Sequence, residues 1–320
     1  MDKIDVIAAG DLPAKTKDSL DEAFTVHRMG HGEAASPDLA AKVRGIARGG
    51  HFAIDRALVA SLPRLEIIAN FGVGYDGIDL AACAQRGILV TNTPDVLPEE
   101  VADTALGLLL MTVREFSAAE RHLRAGKWAS DGPYPLTRAT LRDRTVGIAG
   151  LGRIGVALAR RLDAMQVPVV YHNRTRRDDV PYRHYADLAA MAEDVDTLVS
   201  VLPGGRHTVN IIDAAVLKAL GPRGILINVG RGSVVDEAAL IAALKDGTIH
   251  AAGLDVFARE PSVPAALLAL PNAVLLPHVG SASVFTRDAM GQLCVDNLTS
   301  WFGEGRPLTP VPETPWRPRG

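Results

Sequence analysis

Six residues constrain the fold of this chain more than any other feature. Gly150-Leu151-Gly152-Arg153-Ile154-Gly155 stands directly after a short β-type apolar run, residues 145–149, and directly before an apolar-periodic helix, residues 156–162. Alone, a G-x-G-x-x-G pattern is weak; between a strand and a helix it is strong. The first glycine permits a tight turn and the second lets main chain approach a pyrophosphate. The third lets helix and strand pack closely, and the helix N-terminus attracts the phosphates. The segment therefore predicts a dinucleotide-binding βαβ unit.

The rest of the chain has the same alternating build. Apolar runs at residues 4–8, 44–47, 67–70 and 88–91 read as strands, with short helices at 38–43 and 55–61 between them. A second series of strands runs through 145–149, 168–172, 197–202, 225–229, 251–256 and 274–276. Strands alternating with helices imply parallel sheets covered on both faces. The expected fold is α/β, with two doubly wound parallel-sheet domains: a Rossmann cofactor domain and a flavodoxin-like substrate domain, with a cleft between them. A continuous helix over residues 98–125 links the series, its Pro98, Glu99, Glu100 and Asp103 suited to a helix start. A second long helix is expected over residues 285–302. Because it follows the last strand of the second series and returns to the first, the first domain is discontinuous. Its expected extent is residues 1–97 and 288–320, and that of the cofactor domain 98–287. The proline-rich tail from residue 307 reads as an extended or disordered strip.

Residue chemistry at the strand ends narrows the function. A site for NAD usually carries an acid at the end of the second strand of the βαβ unit to bond the ribose hydroxyls. Here that strand ends in His172-Asn173-Arg174-Thr175-Arg176-Arg177, with arginines where the acid would be. A guanidinium grips a 2′-phosphate that a carboxylate would repel. The reading is NADP(H) preferred over NAD(H), with Asn173, Arg174 and Thr175 at the ribose. Three further strand ends carry candidates. Arg231, flanked by Gly230 and Gly232, can lay its fork on a carboxylate or carbonyl oxygen. Asp255 falls in a buried strand, which is costly without a partner. Glu260 precedes Pro261, and His278 sits between Pro277 and Val279-Gly280, where an imidazole serves as general acid and base. His51, Phe52 and Trp128 are candidates for the wall of a substrate pocket.

The ordered set Gly150–Gly155, Asn228-Val229-Gly230-Arg231-Gly232, Gly253-Leu254-Asp255-Val256-Phe257-Ala258-Arg259-Glu260-Pro261 and Leu276-Pro277-His278-Val279-Gly280-Ser281 resembles the D-2-hydroxyacid dehydrogenase family. With Asn70-Phe71-Gly72-Val73-Gly74-Tyr75-Asp76 and Val101-Ala102-Asp103-Thr104-Ala105, the likeness covers nearly the whole chain and is nearest to the glyoxylate/hydroxypyruvate reductase branch. The resemblance implies a catalytic trio of Arg231, Glu260 and His278. Arg231 binds the 2-oxoacid, His278 exchanges the proton, and Glu260 pairs with His278. It implies amides of Val73 and Gly74 on the substrate carboxylate and Ser281 near the substrate hydroxyl, with Phe52 at the pocket wall. It places Thr104, Leu202, Pro203, Thr208, Val229, Asp255 and Gly280 along the cofactor beside Gly150, Leu151, Gly152, Arg153, Ile154 and Gly155. Residues 203–208 depart from the family's usual run after the proline.

The implied reaction is NADPH-dependent reduction of glyoxylate or hydroxypyruvate to the D-2-hydroxyacid. Alternatives within the family are 2-ketogluconate, hydroxyphenylpyruvate or phosphite as substrate. Outside it stands a non-enzymatic NAD(P)-sensing, co-repressor-like protein. Composition excludes other classes. The 34 Lys and Arg against 37 Asp and Glu give a net charge of −3, with no global pull on nucleic acid or anionic membrane. Two distant cysteines offer neither a disulfide framework nor a metal site. The acidic start is no signal peptide, and a cytoplasmic homodimer without metal is expected.

Overall fold

A computed structural model describes residues 3–316. The chain divides into two units, one made of the residues up to Leu97 and from Ala282 onward, the other of Pro98–Ser281. The return to the first unit falls six residues ahead of the 287/288 boundary expected from sequence. The helix Val284–Glu304, capped by Ser283, which accepts from the Thr286 N–H at 3.1 Å, packs with the first unit from its first turn onward.

The first unit holds a five-stranded sheet in the order β2-β1-β3-β4-β5. Its strands are β1 (Asp5–Ala9), β2 (Thr25–Met29), β3 (Gly45–Arg48), β4 (Ile67–Asn70) and β5 (Leu89–Thr91), all parallel. This is the flavodoxin-like order, and its reversal lies between β1 and β3. Ile7, Ile46, Ile68 and Val90 join Ile54, Leu62 and Ile88 in one core. β2 is absent from the sequence reading because it is an edge strand with Thr25 and Arg28 exposed, so no apolar run marks it. The helix Val284–Glu304 lies on β3 and β4 and against the helix Ala14–Ala23. Gly291 makes that approach feasible, since a Cβ there would lie 2.0 Å from the Thr16 hydroxyl. Beyond Gly305, the tail turns along the outer edge of β5. Thr91 pairs antiparallel with Pro310, and the Val311 N–H donates to the Val90 carbonyl at 2.9 Å. The strip is extended there; the part of the tail from residue 317 lies outside the described residues.

The second unit holds seven parallel strands in the order β12-β11-β10-β9-β6-β7-β8. They are β6 (Val146–Ala149), β7 (Val169–His172), β8 (Arg183–Tyr185), β9 (Thr197–Ser200), β10 (Ile225–Asn228), β11 (Ala251–Leu254) and β12 (Ala273–Leu275). Strand order reverses on either side of β6, which pairs with both β7 and β9. That switch point opens a crevice at the strand ends, where doubly wound sheets bind ligands. The central strands β6, β9, β10 and β11 are buried along their whole length. β8, a three-residue polar edge strand, escaped the sequence reading for the same reason as β2.

The helix expected over residues 98–125 is two helices, Pro98–Val113 and Phe116–Arg124. Glu115 breaks it with a left-handed backbone, φ 53° and ψ 33°, and its carboxylate accepts a hydrogen bond from the Tyr134 hydroxyl at 2.7 Å. A non-glycine residue rarely adopts that conformation, so no glycine or proline signals the break. The first helix is apolar and packs on β10, β11 and β12, whereas the second leaves Phe116 and Leu123 exposed.

Candidate active site

Three loops at the switch point form a cradle. Gly150 has φ +99°, and a Cβ on Gly155 would lie 2.4 Å from the Gly150 carbonyl oxygen. Gly152 caps the helix Arg153–Ala164, and nothing lies within 4 Å of where its Cβ would be. The helix start is therefore bare on the side where a pyrophosphate would bind. Both polar groups of Leu151 are tied down: its N–H donates to Asn173 Oδ1 at 2.7 Å, and its carbonyl accepts from Arg177 Nη1 at 2.8 Å. Gly150 and Gly230 both press on the Val201–Leu202 backbone, where a Cβ on Gly230 would meet the Leu202 oxygen at 2.4 Å. The departing segment after Pro203 closes on itself, the Thr208 hydroxyl donating to the Pro203 carbonyl at 2.7 Å. Leu202 and Val229 are buried beneath the cradle, with Ile154 half-buried and Arg153 exposed.

The arginines after β7 differ in their commitments. Arg176 pairs with Asp178 at 3.2 Å and Arg177 with Asp179. Arg174 is exposed and, among the described residues, has no carboxylate partner; Thr175 beside it is exposed too. These features fit a phosphorylated dinucleotide: a bare helix start, a glycine cradle, no acid at the ribose and one uncompensated guanidinium.

The chemical groups sit farther along the same sheet edge. After β10, Asn228 is 1% exposed; its Nδ2 donates to the Arg231 carbonyl at 2.9 Å and its Oδ1 accepts from the Gly230 N–H at 3.1 Å. Arg231 Nη1 donates to the Gly230 carbonyl at 2.8 Å, which folds the side chain back over the turn. Gly232 lies flat on the next loop, for a Cβ there would stand 1.8 Å from the Phe257 carbonyl carbon. After β11, Asp255 is 1% exposed and accepts from the Val279 N–H at 2.7 Å and the Gly280 N–H at 2.8 Å. Burial pushes its carboxyl above the ordinary value, and those two amides pull the other way. Asp255 thereby ties the loop after β12 to the end of β11. Thr104 reaches the same loop, its hydroxyl donating to the Gly280 carbonyl at 3.3 Å.

His278 occupies that loop in a left-handed conformation, φ 53°. Its N–H donates to the Asp255 carbonyl at 2.9 Å, and its Nδ1 lies 2.6 Å from Glu260 Oε2. The other Glu260 oxygen accepts from the Phe257 N–H at 2.9 Å. The carboxylate side chain is 12% exposed and the imidazole 39%. This is an imidazole oriented by a carboxylate, with one ring edge still reachable from solvent. Arg231, Asp255, Glu260 and His278 thus come together on the adjacent ends of β10, β11 and β12 and their loops.

In the first unit, the loop after β4 is made of main chain. The Gly72 carbonyl accepts from Asn70 Nδ2 at 2.9 Å and from the Thr93 N–H at 3.0 Å. The Val73 carbonyl accepts from Asn92 Nδ2 at 2.9 Å, and the Gly74 carbonyl from Asn70 Nδ2 at 3.0 Å. In a trans peptide, N–H and C=O point in opposite directions. Tying three carbonyls from behind therefore turns the N–H groups of Val73, Gly74 and Tyr75 the other way. Among the described residues those three N–H groups have no hydrogen-bond partner. Such a row of amides has the chemistry of an anion nest. Sequence reading named Val73 and Gly74 but missed Tyr75, Asn92 and Thr93. The available signal was the polar pair ahead of Pro94 at the end of β5, the strand next to β4. Phe52 is 4% exposed and belongs to the core of this unit, its ring 5.5 Å from that of His31. Trp128 lies in the second unit, exposed, and Ser281 is half-buried at that unit's end.

A profile for the D-isomer specific 2-hydroxyacid dehydrogenase, NAD binding domain, matches residues 106–280. The chain belongs to this family. It is accordingly an NAD(P)-dependent oxidoreductase. The crystal structure of an NADPH-dependent glyoxylate/hydroxypyruvate reductase from Sinorhizobium meliloti, in complex with NADP and malonate, superposes with a TM-score of 0.96. It is 52% identical and covers 99% of each chain. Glyoxylate/hydroxypyruvate reductase A of Arabidopsis thaliana is 46% identical over 269 residues, 84% of this chain and 85% of that protein. The hydroxyphenylpyruvate reductase of Plectranthus scutellarioides is 41% identical over 315 residues, 97% of this chain and 100% of that one. Among the described residues of this dehydrogenase, no helix is long and apolar enough to cross a membrane.

Proposed function

We propose that this dehydrogenase reduces a small 2-oxoacid, glyoxylate or hydroxypyruvate, to the D-2-hydroxyacid with NADPH. The observation that carries the reading is the 2.6 Å contact between His278 Nδ1 and Glu260, on the same sheet edge as Arg231. When bound, the reduced nicotinamide supplies the hydride. His278 gives the proton to the carbonyl oxygen as it becomes a hydroxyl. With Nδ1 held by Glu260, that transfer falls to Nε2. Glu260 fixes the orientation of the ring before the transfer. Arg231 places a fixed positive fork where negative charge develops on the oxygen. The Val73 and Gly74 amides take the substrate carboxylate, and Ser281 the hydroxyl side. Asp255 holds the Gly280 loop and would accept from the carboxamide of a bound nicotinamide. Arg174 would take the 2′-phosphate, which supports NADPH over NADH.

The chain acts as a homodimer. Phe116 is 47% exposed, Leu123 55%, Trp128 63% and Leu136 96%. Large apolar groups in one segment mark an interaction surface, and a second copy of the same segment is its occupant.

A panel of 2-oxoacids, each with NADPH and with NADH, tests the reading through loss of reduced-cofactor absorbance. Turnover highest with glyoxylate or hydroxypyruvate and NADPH is expected. Silence with both would exclude the assignment, and faster reduction of hydroxyphenylpyruvate would move it to that substrate. Sedimentation at micromolar concentration is expected to give twice the 33.9 kDa chain mass.

A further inference from the structure

Arg48, at the end of β3, plays no part in the chemistry described above, yet it is a guanidinium only 6% exposed. Arginines are almost never this buried unless every donor is used. Its Nε donates to the Phe52 carbonyl at 2.6 Å, and its Nη1 donates to Asn70 Oδ1 at 2.5 Å. The fold makes room for it. A Cβ on Gly77 would lie 2.4 Å from Arg48 Nη2, so a side chain at residue 77 would push the guanidinium out.

Asn70, 1% exposed, is the relay. Its oxygen receives a bond from a cation, which polarises the amide and strengthens what its nitrogen donates. That nitrogen holds the carbonyls of Gly72 and Gly74. Each belongs to a peptide plane whose N–H, on Val73 or Tyr75, faces away from the relay. An unsupported amide nitrogen could rotate, release the Gly74 plane and leave the Gly72 plane on the Thr93 N–H alone. With its oxygen fixed on Arg48, the flip of Asn70 is blocked, because a flipped amide would turn its NH₂ toward the guanidinium.

We infer that Arg48 is a positioning residue for the substrate carboxylate: through Asn70 it locks the orientation of the amide nest and places a positive charge behind it. The inference rests on the reading that the Val73 and Gly74 amides bind that carboxylate. It adds a group that never touches the substrate and sets how well the substrate is held.

The test compares Arg48→Met and Asn70→Ala with wild type. Substrates are glyoxylate and its neutral counterpart methylglyoxal, with NADPH, and thermal melting checks the fold of each variant. Both variants should raise the KM for glyoxylate roughly 10- to 100-fold, the equivalent of one charge-assisted hydrogen bond. The kcat should stay within about threefold, the signature of lost uniform binding. The KM for methylglyoxal and for NADPH should not move. A cooperatively folded variant with the wild-type KM for glyoxylate overturns the inference, and so does a variant that loses kcat alone. Should Arg48→Met fail to fold, Asn70→Ala decides, because it cuts the relay and leaves the guanidinium in place. A wild-type enzyme that prefers methylglyoxal to glyoxylate, or treats them equally, instead removes the carboxylate reading itself. A wild-type preference that survives intact in both folded variants removes only Arg48.

Discussion

The two units build their candidate sites from different materials. After β4, the first unit presents main-chain N–H groups, and its side chains work from behind. After β10, β11 and β12, the second presents an arginine, a carboxylate and an imidazole, and there the side chains of Asp255 and Asn228 hold the loop main chain that carries them. A row of amides has a fixed dipole and no pKa to move, so it suits an anion that is only held. An imidazole and a guanidinium change charge state or stabilise new charge, so they suit the bond that changes. The mutational consequences separate likewise: a side-chain site fails when one group is removed, a main-chain site when its support is removed.

The sharpest challenge to that contrast is His278→Ala. It should lower kcat by ~10²–10⁴-fold, the usual size of general acid catalysis, while NADPH binding measured by fluorescence stays intact. Near-normal turnover in a folded variant would leave the side-chain site without its acid. Arg231→Lys keeps the charge and loses the planar fork. The expected loss is ~10²–10³-fold in kcat/KM, comparable to removing one donor from a developing oxyanion; unchanged kinetics would show that charge alone suffices. Arg174→Ala is smaller. It should raise the KM for NADPH roughly 10- to 100-fold, the loss of one charge-assisted hydrogen bond, and leave that for NADH alone. Added salt should weaken NADPH binding to wild type more than to the variant. Equal use of NADH and NADPH by wild type would reduce Arg174 to a surface charge.

The smallest effect concerns the support of the amide nest. Tyr75, next to Gly74, donates from its hydroxyl to Glu313 at 3.2 Å. Burial, then the Glu313 charge, pushes this hydroxyl up to about 12 from its ordinary 10.0. The unfolded chain ionises Tyr75 first, so its share of stability is complete below pH 10 and is lost as pH climbs toward about 12. Glu313→Gln should narrow that window, seen as an earlier phenolate absorbance for one tyrosine and a lower alkaline unfolding midpoint. An unchanged phenolate titration would mean that the tail does not reach Tyr75 in solution.

Strands buried on both faces could be read directly, because β4, β9 and β10 are unbroken runs such as Ile67-Ile68-Ala69-Asn70. The edges could not, since β2 and β8 expose part of their surface and carry the polar pattern of a loop. Glu115 bends a helix with no residue type to announce it, because its left-handed backbone is held by Tyr134 from beyond the break. In the candidate site, residue types such as His278 and Arg231 were visible as chemistry. Their pairings were not legible from the residues themselves; only the family resemblance implied that Glu260 pairs with His278. Glu260 and His278 are joined by the adjacency of β11 and β12, and Asn70 and Asn92 act together only because β4 lies beside β5. Spacing along the chain carries no trace of either neighbourhood. Among the three arginines after β7, position along the chain favoured Arg174, and Asp178 and Asp179 pair with the other two.

The split first unit has a consequence for how the protein is made. Its five strands leave the ribosome before the whole of the second unit, and its closing helix and tail leave after it. During translation, β3 and β4 lack the helix that covers them, and β5 lacks the antiparallel strip at Pro310 that occupies its outer edge. An open strand edge beside a bare apolar face is a template for pairing with another chain. The nascent enzyme is thus most prone to aggregate while its second unit is already able to fold. A truncation just after Gly305 would keep the covering helix and leave only the outer edge of β5 permanently open.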